Sequence, residues 1–369
     1  MQRLEWLIKS VLRTLCCLTT LLPIPHLPLL STFLRLAMLA WLTANFYVVF
    51  SFFFEDVIFN LADILGLIHF HLDLFIYVVA IVESMVKKRS FGELTTLRCQ
   101  LHELGANHLS KAEVAAYPVR SMILVFSVPL FCELVRLWVM FTTYRTPVSY
   151  YSVLLELGTQ TRFLQIINTI MTLNQEAQNV TKLLEKLVAQ NKHKSRYGSD
   201  IWMPYTPREY EQLNLLRLLY GRLYKAYGCA DDCFAWCILL FIMEKFFFLV
   251  CNLYWCAQMF FEEPTIFKIF YNLSSTLKAG FQIVVLCAIG SEVENYSRYI
   301  GCLISRLPKP LGNKPYNDLV TNFSIQTLHQ QFSIKAKHFC VLNRTLLGSM
   351  ISAIITYSVI LIQFLLGEK

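Results

Sequence analysis

The stretch Leu346–Leu366, LLGSMISAIITYSVILIQFLL, runs without a single charge. A helix of about 20 such residues crosses the hydrocarbon core of a bilayer. Its polar side chains are scattered hydroxyls and one amide, Gln363. A polar group in an apolar helix costs free energy unless it finds a partner or water. Gln363 therefore packs against another helix or faces a wet path.

Working back from that stretch, six more apolar runs of spanning length follow. They are Phe33–Phe54, Ala62–Val86, Val119–Thr143, a run from Val148 that fades into the polar helix Asn174–Lys192, Cys233–Phe261, and Phe267–Ile289. The composition agrees: 56% of residues are hydrophobic and 16% charged, against roughly 25% charged in soluble domains. The expected fold is an all-α membrane protein of seven transmembrane helices. Lys and Arg crowd the N-terminal segment, the loop between spans two and three, and the connectors between spans four and five and spans six and seven. The opposite side holds Arg145, Lys268 and Lys369 beside Glu55, Asp56, Glu262 and Glu263. That asymmetry places the N-terminus in the cytosol and the C-terminus outside, the reverse of a G-protein-coupled receptor. The basic residues lie in short flanking segments, so nucleic acid is not an expected partner.

The connectors carry apolar stripes of their own. Leu183, Leu184, Leu187 and Val188 form one, Leu213, Leu216, Leu219, Tyr220 and Leu223 a second, and Leu319, Phe323, Leu328 and Phe332 a third. Such helices must bury their stripes in one another, which predicts a cytosolic helical anchor domain suited to oligomer contacts. The expected division is a cytosolic amphipathic segment (1–32) whose helix Gln2–Thr20 lies at the inner membrane surface, spans one to four (33–173), anchor helices (174–232), spans five and six (233–289), further anchor helices (290–345) and the last span (346–366).

Thr356-Tyr357, five apolar-leaning residues, then Gln363-Phe364 in a final outward-running span resemble the signature of the insect gustatory receptor family. The lead-in Phe339–Tyr357, FCVLNRTLLGSMISAIITY, and His329-Gln330 before it resemble the same family. The likeness is specific over about residues 320–366 and architectural elsewhere. It implies a ligand-gated, non-selective cation channel, related to insect odorant receptors. The channel would be a tetramer whose last spans line a central pore. Gln363 and Phe364 would then sit near the outer end of the pore, Phe364 as a dewetted constriction, with Ile360 on the same stripe and Thr356 and Tyr357 about two turns deeper. From spacing alone, Gln363 and Phe364 are equally a helix-packing pair at the interface. The sugar-sensing branch has Glu after the Tyr, whereas this chain has Ser358, which points toward bitter-type small organic compounds.

Glu133 and Arg136 share one face of the third span. They are either the polar wall of a ligand pocket or a mutual ion pair that fixes packing. Trp138, Tyr150, Tyr254, Trp255 and Gln258 lie at outer depth, as pocket aromatics or as an interfacial belt. His69 and His71 alternate and point apart, so they offer no shared metal site. Cys229, Cys233 and Cys237 recur every four residues and read as packing thiols. No nucleophile–base set, phosphate loop or metal cluster marks the chain as an enzyme, and no cofactor is expected.

The resemblance implies these partners: a small-molecule tastant, monovalent and divalent cations as permeants, other copies of itself or other gustatory receptors, and the lipid bilayer. It also implies a place in the plasma membrane of a sensory neuron dendrite, and a role in acceptance or avoidance. The alternatives are a non-conducting accessory subunit of a heteromeric receptor and a seven-helix transporter.

Overall fold

The structure, a computed structural model, describes residues 2–19, 28–54, 61–108, 114, 118–143, 147–197, 207–259, 265–309 and 313–367. In chain order these form α1 (Gln2–Leu18), α2 (Pro28–Phe54), α3 (Leu61–Val86), α4 (Lys88–His108), α5 (Val119–Thr143), α6 (Pro147–Tyr197), α7 (Pro207–Met259), α8 (Ile266–Ser305), α9 (Lys314–His329), the short strands β1 (Lys335–Ala336) and β2 (Cys340–Val341), and α10 (Arg344–Gly367). The chain is an all-α membrane protein. Among the described residues five helices are long and apolar enough to cross a membrane: α3, α5, α7, α8 and α10. The first half of α6, the expected fourth span, is more polar because it carries Glu156, Gln160, Arg162 and Gln165.

Helices α6 and α7 hold 51 and 53 residues. At 1.5 Å per residue each is about 75–80 Å long, more than twice a bilayer core. Their far halves project beyond it, and there the predicted stripes meet. Leu184, Leu187, Leu213, Leu216, Leu219, Tyr220, Leu223, Leu319, Phe323 and Phe332 are all buried in one core continuous with that of the bundle. Leu328 departs from the expectation and is 69% exposed.

Two further regions differ from the sequence reading. The segment between spans two and three is the helix α4, not a loop. Phe91, Leu94, Leu97, Leu101 and Leu104 recur every three or four residues along it, and α4 packs on α7 through them. The N-terminal helix α1, expected at the membrane surface, buries Ile8, Leu12 and Cys16 and packs on α6. Trp6, Leu7 and Val11 stay exposed on its other side.

Close approaches hold the layers in register. A side chain at Gly158 of α6 would collide with the Tyr77 ring. With glycine there, Tyr77 crosses from α3 and donates to the Thr19 carbonyl at 2.9 Å. Arg162 of α6 is fully buried between α3 and α7. Its Nη2 donates to Glu83 Oε2 (2.8 Å) and to the Cys233 carbonyl (3.2 Å), and its Nε to Cys237 Sγ (3.4 Å). The expected packing thiols Cys233 and Cys237 therefore lie in the core, and Cys237 also serves as an acceptor.

The hairpin before α10 turns on Lys337 and His338, both left-handed at φ 48° and 64°. The Phe339 N–H closes the turn on the Ala336 carbonyl at 2.9 Å, and three residues, Lys337, His338 and Phe339, separate the paired Ala336 and Cys340. The hairpin docks on α7, where Asp231 Oδ1 accepts from the Lys335 N–H at 3.0 Å. It docks on α8 at Gly290, whose missing side chain admits the Leu342 backbone.

Candidate functional site

Two charged clusters lie inside the apolar bundle. The first joins α5, α6 and α8. Arg136 Nη1 lies 3.1 Å from Glu133 Oε2 on its own helix and 3.6 Å from Glu156 Oε2 on α6. Lys278 of α8 donates to the same Glu133 oxygen at 2.7 Å and also to Glu156 Oε1. Gln160 donates to Glu156 at 3.0 Å and accepts from Gln282 at 2.9 Å. The Arg136 guanidinium lies 5.4 Å over the Tyr271 ring. Each helix supplies its residues one turn apart, at 133 and 136, 156 and 160, and 278 and 282, so each pair shares a face. Two carboxylates meet two cations, and the cluster is neutral.

The second cluster joins α3 to α7. Lys245 Nζ lies 2.7 Å from Glu244 Oε2. His69 Nε2 is 3.7 Å from Asp73 Oδ2 and its Nδ1 is 3.8 Å from Glu244 Oε1; both are too long to be hydrogen bonds. The His69 ring rests on Phe248 with centroids 4.2 Å apart. His71 turns away, as expected, edge-on to Phe70.

Helix α10 differs from the other spans in how little the chain covers it. Only 17% of its apolar window is buried, against 67% for α7. Met350, Ile354 and Ser358 face the bundle. Thr356, Ile360, Gln363 and Phe364 share an uncovered stripe, with Phe364 65% exposed. The Thr356 hydroxyl donates back to the Ser352 carbonyl at 3.0 Å. Tyr357 sits beside the stripe, its ring edge-on to Phe246 of α7 at 6.0 Å.

The family model described as 7tm Chemosensory receptor matches residues 8–367. The chain belongs to this receptor family. Among curated relatives of the receptor, Gustatory receptor 23a of Drosophila melanogaster is 38% identical over 166 residues, 45% of this chain and 44% of that one. Putative gustatory receptor 39b of the same fly is 27% identical over 42% of each chain. The matched part thus spans under half the length of these relatives. In structure the receptor is similar to the insect olfactory receptor OR5 from Machilis hrabei, with TM-score 0.67, 12% identity and 98% of both chains covered. It is likewise similar to OR5 in complex with eugenol, with TM-score 0.65, 13% identity and coverage of 98% and 99%. At that identity the likeness carries the fold.

Within the receptor the expected pocket residues separate. Glu133 and Arg136 sit in the neutral cluster, together with Glu156, Lys278, Gln160, Gln282 and Tyr271, which the sequence reading did not single out. Trp138, two residues past Arg136, turns outward, 54% exposed, with its ring 5.5 Å from Phe267. Tyr254 is buried with Leu65 and Cys251, and Trp255 and Leu361 of α10 pack on that group. These aromatics therefore line the seam of α3, α7 and α10, away from Arg136. Gln258 is half-buried near the end of α7. The side chain of Tyr150 lies outside the described residues. The signal for the missed partners was present in the sequence, as a lone Glu156 and a lone Lys278, each with Gln four residues on, inside otherwise apolar runs.

Proposed function

We propose that this receptor is a taste-receptor subunit, a ligand-gated cation channel that small extracellular compounds open. The observation that carries the reading is α10. Beyond Arg344 it is charge-free, long enough to span, and leaves Thr356, Ile360, Gln363 and Phe364 uncovered by its own chain. Copies of the chain, or related receptors, arranged about an axis would cover that stripe with one another and enclose a path along it. Gln363 then meets pore water or a neighbouring subunit, and a ring of Phe364 side chains closes the path by dewetting. Four copies, an N-terminus in the cytosol, a C-terminus outside and a plasma-membrane location complete the proposal.

The ligand site of this reading is the space around the neutral cluster, where Arg136, Lys278, Glu156 and the Tyr271 ring offer directional polar contacts in an apolar wall. The eugenol complex of OR5 supports a small organic ligand as the class. Ser358, buried where the sugar-sensing pattern has a carboxylate, supports bitter-type compounds over sugars. A ligand shifts the channel by its differential affinity for the open state.

The test is current through cells that express the chain, with Phe364→Ala beside the wild type. A cation leak in the variant alone, without ligand, is the expected result. Equal silence from both, with normal surface delivery and with partner receptors co-expressed, would remove Phe364 from the gate.

A further inference from the structure

The second cluster is short of positive charge. Asp73 and Glu244 face one cation, Lys245. The neighbouring Arg136 and Lys278 are already matched by Glu133 and Glu156. Among the described residues, one carboxylate charge in this layer has no counterpart. The hydrogen bonds agree with the charge count. Glu244 is fully buried with Lys245 alone against its Oε2, and its Oε1, Asp73 Oδ1 and His69 Nδ1 have no hydrogen-bond partner. Buried polar atoms nearly always have partners, and donor atoms gathered within 4.8 Å of one another suit a shared ion.

The donor geometry suits one class of ion. His69 and Asp73 are one turn apart on α3, and Glu244 reaches across from α7. One ligand atom from each lies within 4.8 Å of the others. A tetrahedral zinc ion with bonds of about 2.0–2.2 Å holds its ligand atoms roughly 3.4 Å apart. Side-chain rotation of about one ångström closes that gap. One imidazole nitrogen and two carboxylates suit a divalent metal of borderline softness, with a fourth position left for water. Lys245 has somewhere to go when a metal takes Glu244. It borders a small cavity lined also by Phe163, Phe241 and Gln282, and Gln282 Oε1 is an unused acceptor.

We propose that His69, Asp73 and Glu244 form a binding site for a divalent transition-metal ion, zinc being the type, in the seam between α3 and α7. The site straps the two helices together. It shares no residue with the neutral cluster or with α10, and it does not depend on whether the chain conducts.

The test is direct binding to the full-length receptor, purified in detergent and freed of metal with a chelator. Co2+ is the probe, because its visible bands report coordination and its near-ultraviolet band reports thiolate. The expected result is one Co2+ per chain, tetrahedral visible bands without a thiolate band, and displacement by Zn2+. Asp73→Asn and His69→Gln should each weaken binding by roughly tenfold or more. The wild-type titration decides even where a variant fails to fold. No saturable Co2+ binding, a thiolate band from any of the twelve free cysteines, or unchanged affinity in folded variants would each overturn the proposal. No current is measured, so failure here and failure of the channel reading are distinguishable.

Discussion

The two charged clusters sit in the same apolar bundle and solve the same problem differently. Around Arg136, two cations and two carboxylates on three helices neutralise one another, and Gln160 links Glu156 to Gln282 by hydrogen bonds. Around Glu244, one cation serves two carboxylates and several polar atoms have no partner. A buried ion pair adds little net stability, yet breaking one is costly, because a bare charge stays behind. The first cluster is thus a lock whose parts depend on one another. The second is an incomplete site that gains from an added cation or from the loss of an anion. A neutral cluster specifies how helices meet, and an unbalanced one specifies what must bind.

The largest expected effect comes from unbalancing the first cluster. Lys278→Met leaves Glu133 and Glu156 with Arg136 alone, and should cost about 3–5 kcal/mol, read as the loss of a monodisperse species on heating in detergent. Adding Glu156→Gln restores the charge balance and should recover at least half of that loss, since the two sites are coupled. A double variant no better than Lys278→Met would show that packing, not charge, holds α6 against α8.

The second cluster should respond with the opposite sign. In the presence of chelator, Asp73→Asn removes the unmatched charge and should raise the thermal midpoint, by the equivalent of about 1 kcal/mol. With saturating Zn2+ the order should reverse, because the wild type alone gains from binding. A variant less stable than the wild type in chelator would mean that the layer is already balanced. The smallest effect lies outside both clusters. His338→Gly relieves a left-handed residue in the hairpin turn and should stabilise by about 0.5–1 kcal/mol, measured by the same melt.

The two clusters also differ in how far the sequence made them legible. Glu133 and Arg136 are near neighbours on one helix, so their pairing follows from helical spacing. Glu156, Lys278, Asp73 and Glu244 are each visible as a charge in an apolar run, but which meets which depends on how α3, α5, α6, α7 and α8 pack, and periodicity within one helix is silent on that. For the same reason depth alone groups Trp138 with Tyr254 and Trp255, whereas in the fold it turns outward beside Phe267. Five of the expected spans, α10 among them, are legible because hydropathy acts within a single segment. Helix α4 was hidden by its charges: Lys88, Arg89 and Arg98 drew it into a loop, while its apolar positions at 91, 94, 97, 101 and 104 had the helical period. The Arg162–Glu83 bridge was missed because its partners lie 79 residues apart.

Helix α7 carries Asp231, which holds the hairpin, and, farther along, Glu244, Phe246 and Tyr254. From Cys229 to Met259 it contains neither glycine nor proline, the residues at which helices bend sharply. It therefore acts as a lever with no joint. Between Asp231 and Tyr254 the arm is about 35 Å long. A tilt of about 5° at one end moves the other by about 3 Å, comparable to the width of an ion. A small rotation at the Tyr254 end would thus reach the hairpin at the foot of α10 as a displacement, with no bend needed in between.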